Sequence, residues 1–152
     1  MKIWQPLFLL LLLPPRAFAL YSDQIGAPVE EVWQAAKDVS QGYGIQKDDP
    51  VKKNLETRWV EDRVVRSSGL LKNVASRIYR LRYRMRAQLV EDSQGTKIEI
   101  KGTYEQKPLD ASPSSRWEPT RPEHDLERDF FHKILTQIET TRRSYVAKPQ
   151  TL

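Results

Sequence analysis

The chain has 152 residues, with 25 Lys and Arg against 20 Asp and Glu, two His and no Cys. The lack of Cys excludes disulfides, thiolate nucleophiles and zinc sites built on cysteine. With 39% hydrophobic and 30% charged residues, the composition is that of a globular protein with a charged surface. About 130 residues follow an initial stretch that resembles an export signal, which is enough for one domain with one core.

Residues 1–19 have the three parts of a secretory signal peptide. Lys2 gives a positive start, Leu7 to Leu13 is an unbroken apolar run, and Ala17-Phe18-Ala19 has the small-x-small form of a cleavage site. An uncleaved anchor is the weaker alternative, because the run is shorter than the about 20 residues of a spanning helix. We predict cleavage after Ala19 and residence in a bacterial periplasm, peripheral to the outer membrane, since export without Cys fits that compartment.

Removal of the signal changes the charge and the expected partners. It takes away Lys2 and Arg16 and no acid, so the net charge falls from +5 to +3. Nucleic acid is a poor partner for an exported chain with so small a net charge. No Cys follows the cleavage site, so the chain has no acceptor for a bacterial lipid anchor.

The first part of the mature chain predicts a helix and then two strands. Pro28 opens the helix, Trp33 lies in the middle of its apolar stripe, and Gly42 and Gly44 end it. A short strand begins at Ile45. In the next strand, alternation predicts that Leu55, Thr57 and Trp59 face the core while Glu56 and Arg58 face solvent.

The clearest pattern is an alternation with a period of two over residues 79–89. A turn at 92–95 joins this strand to a second one over 97–106. A register that pairs Glu91 with Thr96 matches the two apolar faces. The apolar members of the first strand are Tyr79, Leu81, Tyr83, Met85, Ala87 and Leu89. In that register Leu89 lies opposite Ile98, Ala87 opposite Ile100, Tyr83 opposite Tyr104, and Arg82 opposite Glu105.

The last part predicts a loop, a helix and a tail. The Pro-rich loop (residues 107–122) contains four prolines and Trp117, which predicts an extended, mobile segment. A helix from Glu123 carries a broad apolar stripe, and residues 147–152 are predicted to be a flexible tail. The order of elements predicts one α+β domain over 20–146, in which an N-terminal helix and a long C-terminal helix pack on a curved antiparallel sheet. This arrangement is of the helix-grip type.

The sequence predicts no catalytic, metal or cofactor site. His124 and His132 lie eight positions apart on the last helix, so they cannot share a metal as an i, i+4 pair does. No G-x-S-x-G, H-E-x-x-H or Gly-rich phosphate motif occurs. We therefore expect a protein that is not an enzyme.

The candidate partner-binding residues are Arg80, Arg82, Arg84 and Arg86, which project from one strand face, and Trp117. Guanidinium groups in a row suit phosphates such as those of anionic lipid headgroups. The alternative, which we favour, is a solvated face paired with Glu56, Glu99 and Glu105. Trp117 is either an anchor for another protein or a cover folded back over an apolar rim, and the sequence leaves both open.

Several segments together resemble a domain of the BamC family, the accessory lipoproteins of the outer-membrane β-barrel assembly machinery. They are Val32-Trp33-Gln34-Ala35-Ala36, Gly44-Ile45 with Asp48-Asp49, Leu55-Glu56-Thr57-Arg58-Trp59-Val60, and Tyr79-Arg80-Leu81-Arg82-Tyr83. The resemblance covers Pro28 to Gln106. It implies a helix-grip fold, no catalytic residues, and a binding role toward an envelope protein, with the assembly complex itself as the first candidate.

A second resemblance leads to the alternative function. The segment Ala27 to Trp33 resembles the first helix of helix-grip carriers such as START and pollen-allergen-like domains, which implies a lipid or other apolar ligand between the sheet and the C-terminal helix. A carrier needs an apolar cavity of several hundred Å³. The large side chains available, such as Phe130, Phe131 and Tyr104, predict a packed interior instead.

Overall fold

The computed structural model describes residues 20–67 and 76–146. Residues 1–19, predicted to be a signal peptide, residues 68–75, and residues 147–152, predicted to be a flexible tail, lie outside the described residues. Within the described ranges, no helix has the length and apolarity needed to cross a membrane.

The described residues form seven strands in one antiparallel sheet and two helices, which confirms the α+β prediction. The sheet order is β1-β6-β5-β3-β2, with β4 also paired to β5 and β7 to β6. The elements are β1 (Leu20–Ile25), α1 (Val29–Gln41), β2 (Ile45–Asp49), β3 (Asn54–Thr57), β4 (Val60–Ser67), β5 (Ser76–Asp92), β6 (Gly95–Pro108), β7 (Glu118–Pro119) and α2 (His124–Val146).

The hairpin of β5 and β6 has the predicted register. Leu89 pairs with Ile98, and all the other predicted pairs are present. The turn is tighter than predicted, because Asp92 also pairs with Gly95 and leaves only Ser93 and Gln94 between the strands. Gly95 has a φ of 128°, a backbone conformation that L-residues rarely adopt.

Both helices contact the same face of the sheet, and the core lies between them and the sheet. Trp33 of α1 is 5% exposed, as its place on the apolar stripe predicts. Glu31 of α1 forms a bidentate ion pair with Arg142 of α2 at 2.6 and 2.9 Å, which joins the two helices. The side chains that fill the space between the layers with less than 2% exposure include Phe130, Ile134, Met85, Ile98 and Ile100.

Trp59 does not face the core, contrary to the prediction from alternation. β3 ends at Thr57, whose Oγ1 accepts a hydrogen bond from the backbone N–H of Met85 at 3.0 Å. This contact replaces a ladder bond, and pairing with β5 resumes only at Val60. The break falls between β3 and β4, which both pair with the same side of β5. The alternation of β3 therefore does not continue through Trp59, whose half-buried side chain lies on the sheet face opposite the core.

Gly95 offers a test of the turn. A Cβ at Gly95 would overlap the carbonyl oxygen of Ile25, whereas a Cβ at Gly26 would meet nothing within 4 Å. We predict that Gly95→Ala lowers the free energy of unfolding in urea by about 1 to 3 kcal/mol. The control Gly26→Ala should change it by less than about 1 kcal/mol. Equal effects of the two substitutions would contradict this description of the turn.

Candidate functional site

The four arginines of β5 lie on the sheet face that the helices leave uncovered, here called the outer face. Their neighbours in sequence, Leu81, Tyr83 and Met85, are buried on the opposite face. The outer face is therefore a direct product of the alternation, and it brings Arg80, Arg82, Arg84 and Arg86 into one line along the strand.

Acidic side chains from the neighbouring strands pair with these arginines, as the favoured interpretation predicts. Glu56 and Glu105 take part, whereas Glu99 pairs with Lys97 at 2.7 Å instead. Glu61 of β4 is a partner that the sequence did not indicate. The distances are 2.6 Å for Arg80 to Glu61, 2.5 Å for Arg82 to Glu105, 2.7 Å for Arg84 to Glu56 and 3.7 Å for Arg86 to Glu56.

Arg82 lies between two tryptophan rings. Its guanidinium carbon is 4.6 Å from the ring centre of Trp59 and 4.5 Å from that of Trp117. Arg84 contacts Trp59 at 4.9 Å, so arginines and rings alternate along the outer face. These separations are within the range of attractive cation–π contacts. We call the group Trp117, Arg82, Trp59 and Arg84 the Arg–Trp stack.

Trp117 is folded back onto the domain, where its ring contacts Arg82, and its role in partner binding stays a prediction. Its ring covers charged side chains rather than an apolar rim, with the Nζ of Lys107 at 4.8 Å from the ring centre. The two residues after it, Glu118 and Pro119, pair with β6 as β7. The Pro-rich loop is therefore attached to the sheet near its end, and it is not extended throughout.

The four arginines differ in how much of each is available to a partner. Arg82 and Arg84 are 27% and 32% exposed, whereas Arg80 and Arg86 are 36% and 47% exposed. Arg82 is thus in contact with both tryptophan rings and with Glu105. Arg86 shares Glu56 with Arg84, so one carboxylate faces two guanidinium groups, and this end of the line carries surplus positive charge.

The two histidines are separated, as predicted. His124 begins α2 with its side chain 79% exposed, and its Nδ1 lies 3.7 Å from Glu127. His132 is also exposed, and the centre of its ring lies 5.8 Å from that of Phe131. No group of three or more His, Cys, Asp or Glu suited to a metal ion occurs within residues 20–67 and 76–146.

Glu127 is a buried carboxylate that the sequence analysis did not identify. It is 1% exposed, and its Oε1 accepts a hydrogen bond from the backbone N–H of Gly102 at 3.0 Å. Gly102 lies on β6 between the stretch that pairs with β1 and the stretch that pairs with β7. Glu127 therefore binds a backbone group left unpaired by the gap. A glycine inside a strand was the available signal for this close approach.

Burial raises the pKa of Glu127 above its ordinary value, while the hydrogen bond from Gly102 opposes this shift. The ring of Tyr104 lies directly over Gly102, where a Cβ would overlap it. Burial, followed by the charge of Glu127, also raises the pKa of Tyr104. The group joins α2 to β6 on the core side of the sheet, away from the Arg–Trp stack.

No protein-family model matches the chain, and no curated protein matches it. Similar solved structures include a DUF4468 family protein from Bacteroides ovatus, at 11% identity and a TM-score of 0.46, covering 89% of this chain and 88% of that one. A conserved protein from Geobacillus kaustophilus has 13% identity and a TM-score of 0.38, covering 82% and 96%. At these scores the likenesses carry no argument about function, and the resemblance to BamC stays a prediction.

The buried Glu127 predicts a pH dependence of stability. Because its pKa is raised in the folded state, folding favours the protonated acid, and stability increases as pH falls through the folded pKa toward the unfolded value of about 4.3. Glu127→Gln removes this contribution. We expect the difference in free energy of unfolding, wild type minus variant, to increase as pH falls. The limiting slope of this difference is about 1.4 kcal/mol per pH unit.

The control for this measurement is Glu139→Gln, at a carboxylate of α2 that is 68% exposed. Urea unfolding is measured from neutral pH down to about pH 4.3, the unfolded value, because the contribution changes between the raised folded pKa and that value. A difference between wild type and Glu127→Gln that stays constant over this window would contradict the assignment.

Proposed function

We propose that the protein is a non-enzymatic binding domain of the bacterial cell envelope that recognises another envelope protein through its outer face. The contact surface comprises Arg80, Arg82, Arg84, Arg86 and Trp117. The observation that carries this proposal is the position of Arg82 between Trp59 and Trp117, which fixes aromatic and cationic groups on a rigid sheet.

The Arg–Trp stack has the properties of a pre-organised contact surface. Trp and Arg are the residues most enriched among those that dominate binding energy at protein interfaces. Ordering such side chains on binding normally costs free energy, and a stack already formed in the unbound protein avoids part of that cost. In this surface Arg82 holds the rings in place, while Arg80 and Arg86 are the more accessible cations.

The charge of the outer face indicates the chemistry of the partner. The carboxylate of Glu56 lies 3.7 Å from Arg86 and also pairs with Arg84 at 2.7 Å. A partner with acidic side chains would complete this pairing and speed association. The resemblance to BamC makes a component of the outer-membrane β-barrel assembly complex the first candidate.

One further feature supports a protein-binding domain. Side chains with less than 2% exposure, such as Met85 and Ile134, pack the core, and the cleft of about 590 Å³ between α1, Tyr83 of β5 and α2 is open to solvent rather than enclosed, which favours surface recognition over carriage of an apolar ligand.

Photo-crosslinking in intact cells tests the proposal. A photo-crosslinking amino acid replaces Thr103, which lines a cleft of about 140 Å³ beside Arg84 and Arg86 on the outer face. We expect capture of an envelope protein from this position and not from Glu139 on α2. Arg80→Glu combined with Arg86→Glu should lower the crosslinked yield at least about tenfold, the effect of losing roughly 1.4 kcal/mol of binding free energy.

The matched control is Arg128→Glu combined with Arg143→Glu, two ion-paired arginines on α2 that give the same change of net charge. Circular dichroism of both double variants establishes that each is folded. Equal losses in the two double variants would contradict the assignment of the outer face. The N-terminal sequence of the captured chain tests export, because a chain that still begins at Met1 would contradict cleavage after Ala19.

A further inference from the structure

One end of the outer face carries a row of cations next to a row of exposed aliphatic side chains. The register pairs Arg63 with Arg80 and Arg80 with Lys107, so three cations follow one another across β4, β5 and β6. We call these three residues the basic row. It lies beyond the Arg–Trp stack, toward the Ser67 end of β4.

The next row toward that end is apolar. Val65 pairs with Ile78, and the backbone N–H of Leu109 donates to the carbonyl of Ile78 at 3.2 Å. These side chains are 63%, 45% and 39% exposed, respectively. A single exposed aliphatic residue is ordinary, but three neighbours across three chain segments form a patch that indicates contact with another surface. We call Val65, Ile78 and Leu109 the apolar row.

The basic row has more positive charge than its neighbours neutralise. Like charges directly opposite each other on a sheet are unfavourable. Arg80 is paired with Glu61, and Lys107 is 4% exposed and donates to the carbonyl of Pro113. Arg63 is exposed, and its side chain forms no ion pair with any other residue of the described ranges. An anionic surface that reaches Arg63 and Arg80 would relieve this repulsion.

The spacing of the two rows fits a membrane surface. Residues two apart along a strand are separated by about 7 Å, so the apolar row lies about that far from the basic row. Apolar groups of proteins that bind membranes peripherally enter about 5 to 10 Å into the boundary between headgroups and acyl chains. With the apolar row at that depth, Arg63 and Arg80 lie at the level of the lipid phosphates.

We propose that this end of the sheet docks on an anionic lipid bilayer, with the apolar row in the acyl boundary and Arg63 and Arg80 on the headgroups. A lipid surface fits better than a protein. Val and Leu are under-represented among the residues that dominate binding energy at protein interfaces, whereas burial of any apolar side chain in the acyl boundary is favourable. Val65, Ile78, Leu109 and Arg63 lie outside the proposed protein contact surface, whereas Arg80 belongs to both surfaces, with its guanidinium carbon 5.6 Å from the ring centre of Trp117.

A local fluorescence measurement tests this proposal. The chain contains no Cys, so a single Cys substitution gives one labelled position. Ile78→Cys carries an environment-sensitive dye in the apolar row, and Val90→Cys is the matched control. Val90 lies on the same face of the same strand, is 51% exposed, and is at the other end of the sheet. Because the signal reports only the labelled position, lipid contact elsewhere in the full chain does not produce it.

Vesicles of phosphatidylglycerol and phosphatidylethanolamine are added to each labelled protein. We expect a blue shift, and quenching by lipids brominated on their acyl chains, at position 78 and not at position 90. Arg63→Glu in the Ile78→Cys chain should abolish the response, whereas Arg128→Glu should preserve it. Vesicles of phosphatidylcholine alone should give a much weaker response.

The proposal is overturned by no response at position 78, by equal responses at positions 78 and 90, or by a response that Arg63→Glu leaves unchanged. A response at position 78 that requires an added envelope protein and not vesicles would also overturn it, in favour of a protein contact. Crosslinking from Thr103 is a separate readout, so failure of membrane docking and failure of the proposed protein recognition are distinguishable.

Discussion

The period-two alternation of β5 is the constraint on which the rest of the structure depends. One strand places Leu81, Tyr83 and Met85 under the two helices and four arginines on the opposite face. β6 pairs with it along almost its entire length, so its own buried residues, such as Ile98 and Ile100, meet the same core. A slip of one residue would exchange the faces, burying the arginines and exposing the core. The core and the outer face are thus specified by the same register.

The guanidinium of Arg82 forms an ion pair and contacts two aromatic rings on the outer face. Its Nε donates a hydrogen bond to Glu105 at 2.7 Å, and its guanidinium carbon lies 4.6 Å from the ring centre of Trp59 and 4.5 Å from that of Trp117, distances at which a planar guanidinium is attracted to aromatic rings. The first ring is available because the strand breaks after Thr57, and the second because the Pro-rich loop returns to pair with β6. The alternation of the strands predicts the position of Arg82, but it does not predict the position of either tryptophan ring that packs on it. Local irregularities therefore build the site on a regular scaffold.

The sequence predicts the structure correctly where a pattern of polarity or charge continues over many neighbouring residues. The hairpin register, both helices and the acidic partners Glu56 and Glu105 were predicted, because period and charge are visible in the residues themselves. β1 was missed because only Ile25 of this strand is buried, so pairing with β6 and not its own pattern makes it a strand. Trp59 is misplaced because the side chain of Thr57 accepts the hydrogen bond from the Met85 N–H and interrupts the ladder. Glu127 is missed because its burial depends on a gap between β1 and β7, which only the glycine at position 102 indicates in the sequence.

The most direct test of this account is hydrogen exchange in the Pro-rich loop of two arginine variants. Arg82→Lys keeps the positive charge but removes the planar guanidinium beside Trp117, whereas Arg86→Lys makes the same change at an arginine that contacts Glu56 and no tryptophan ring within residues 20–67 and 76–146. We expect faster exchange of the backbone amides of the loop in Arg82→Lys and wild-type exchange in Arg86→Lys. Unchanged exchange in Arg82→Lys would show that the stack does not hold the loop on the outer face, and the proposed binding surface would lose its basis.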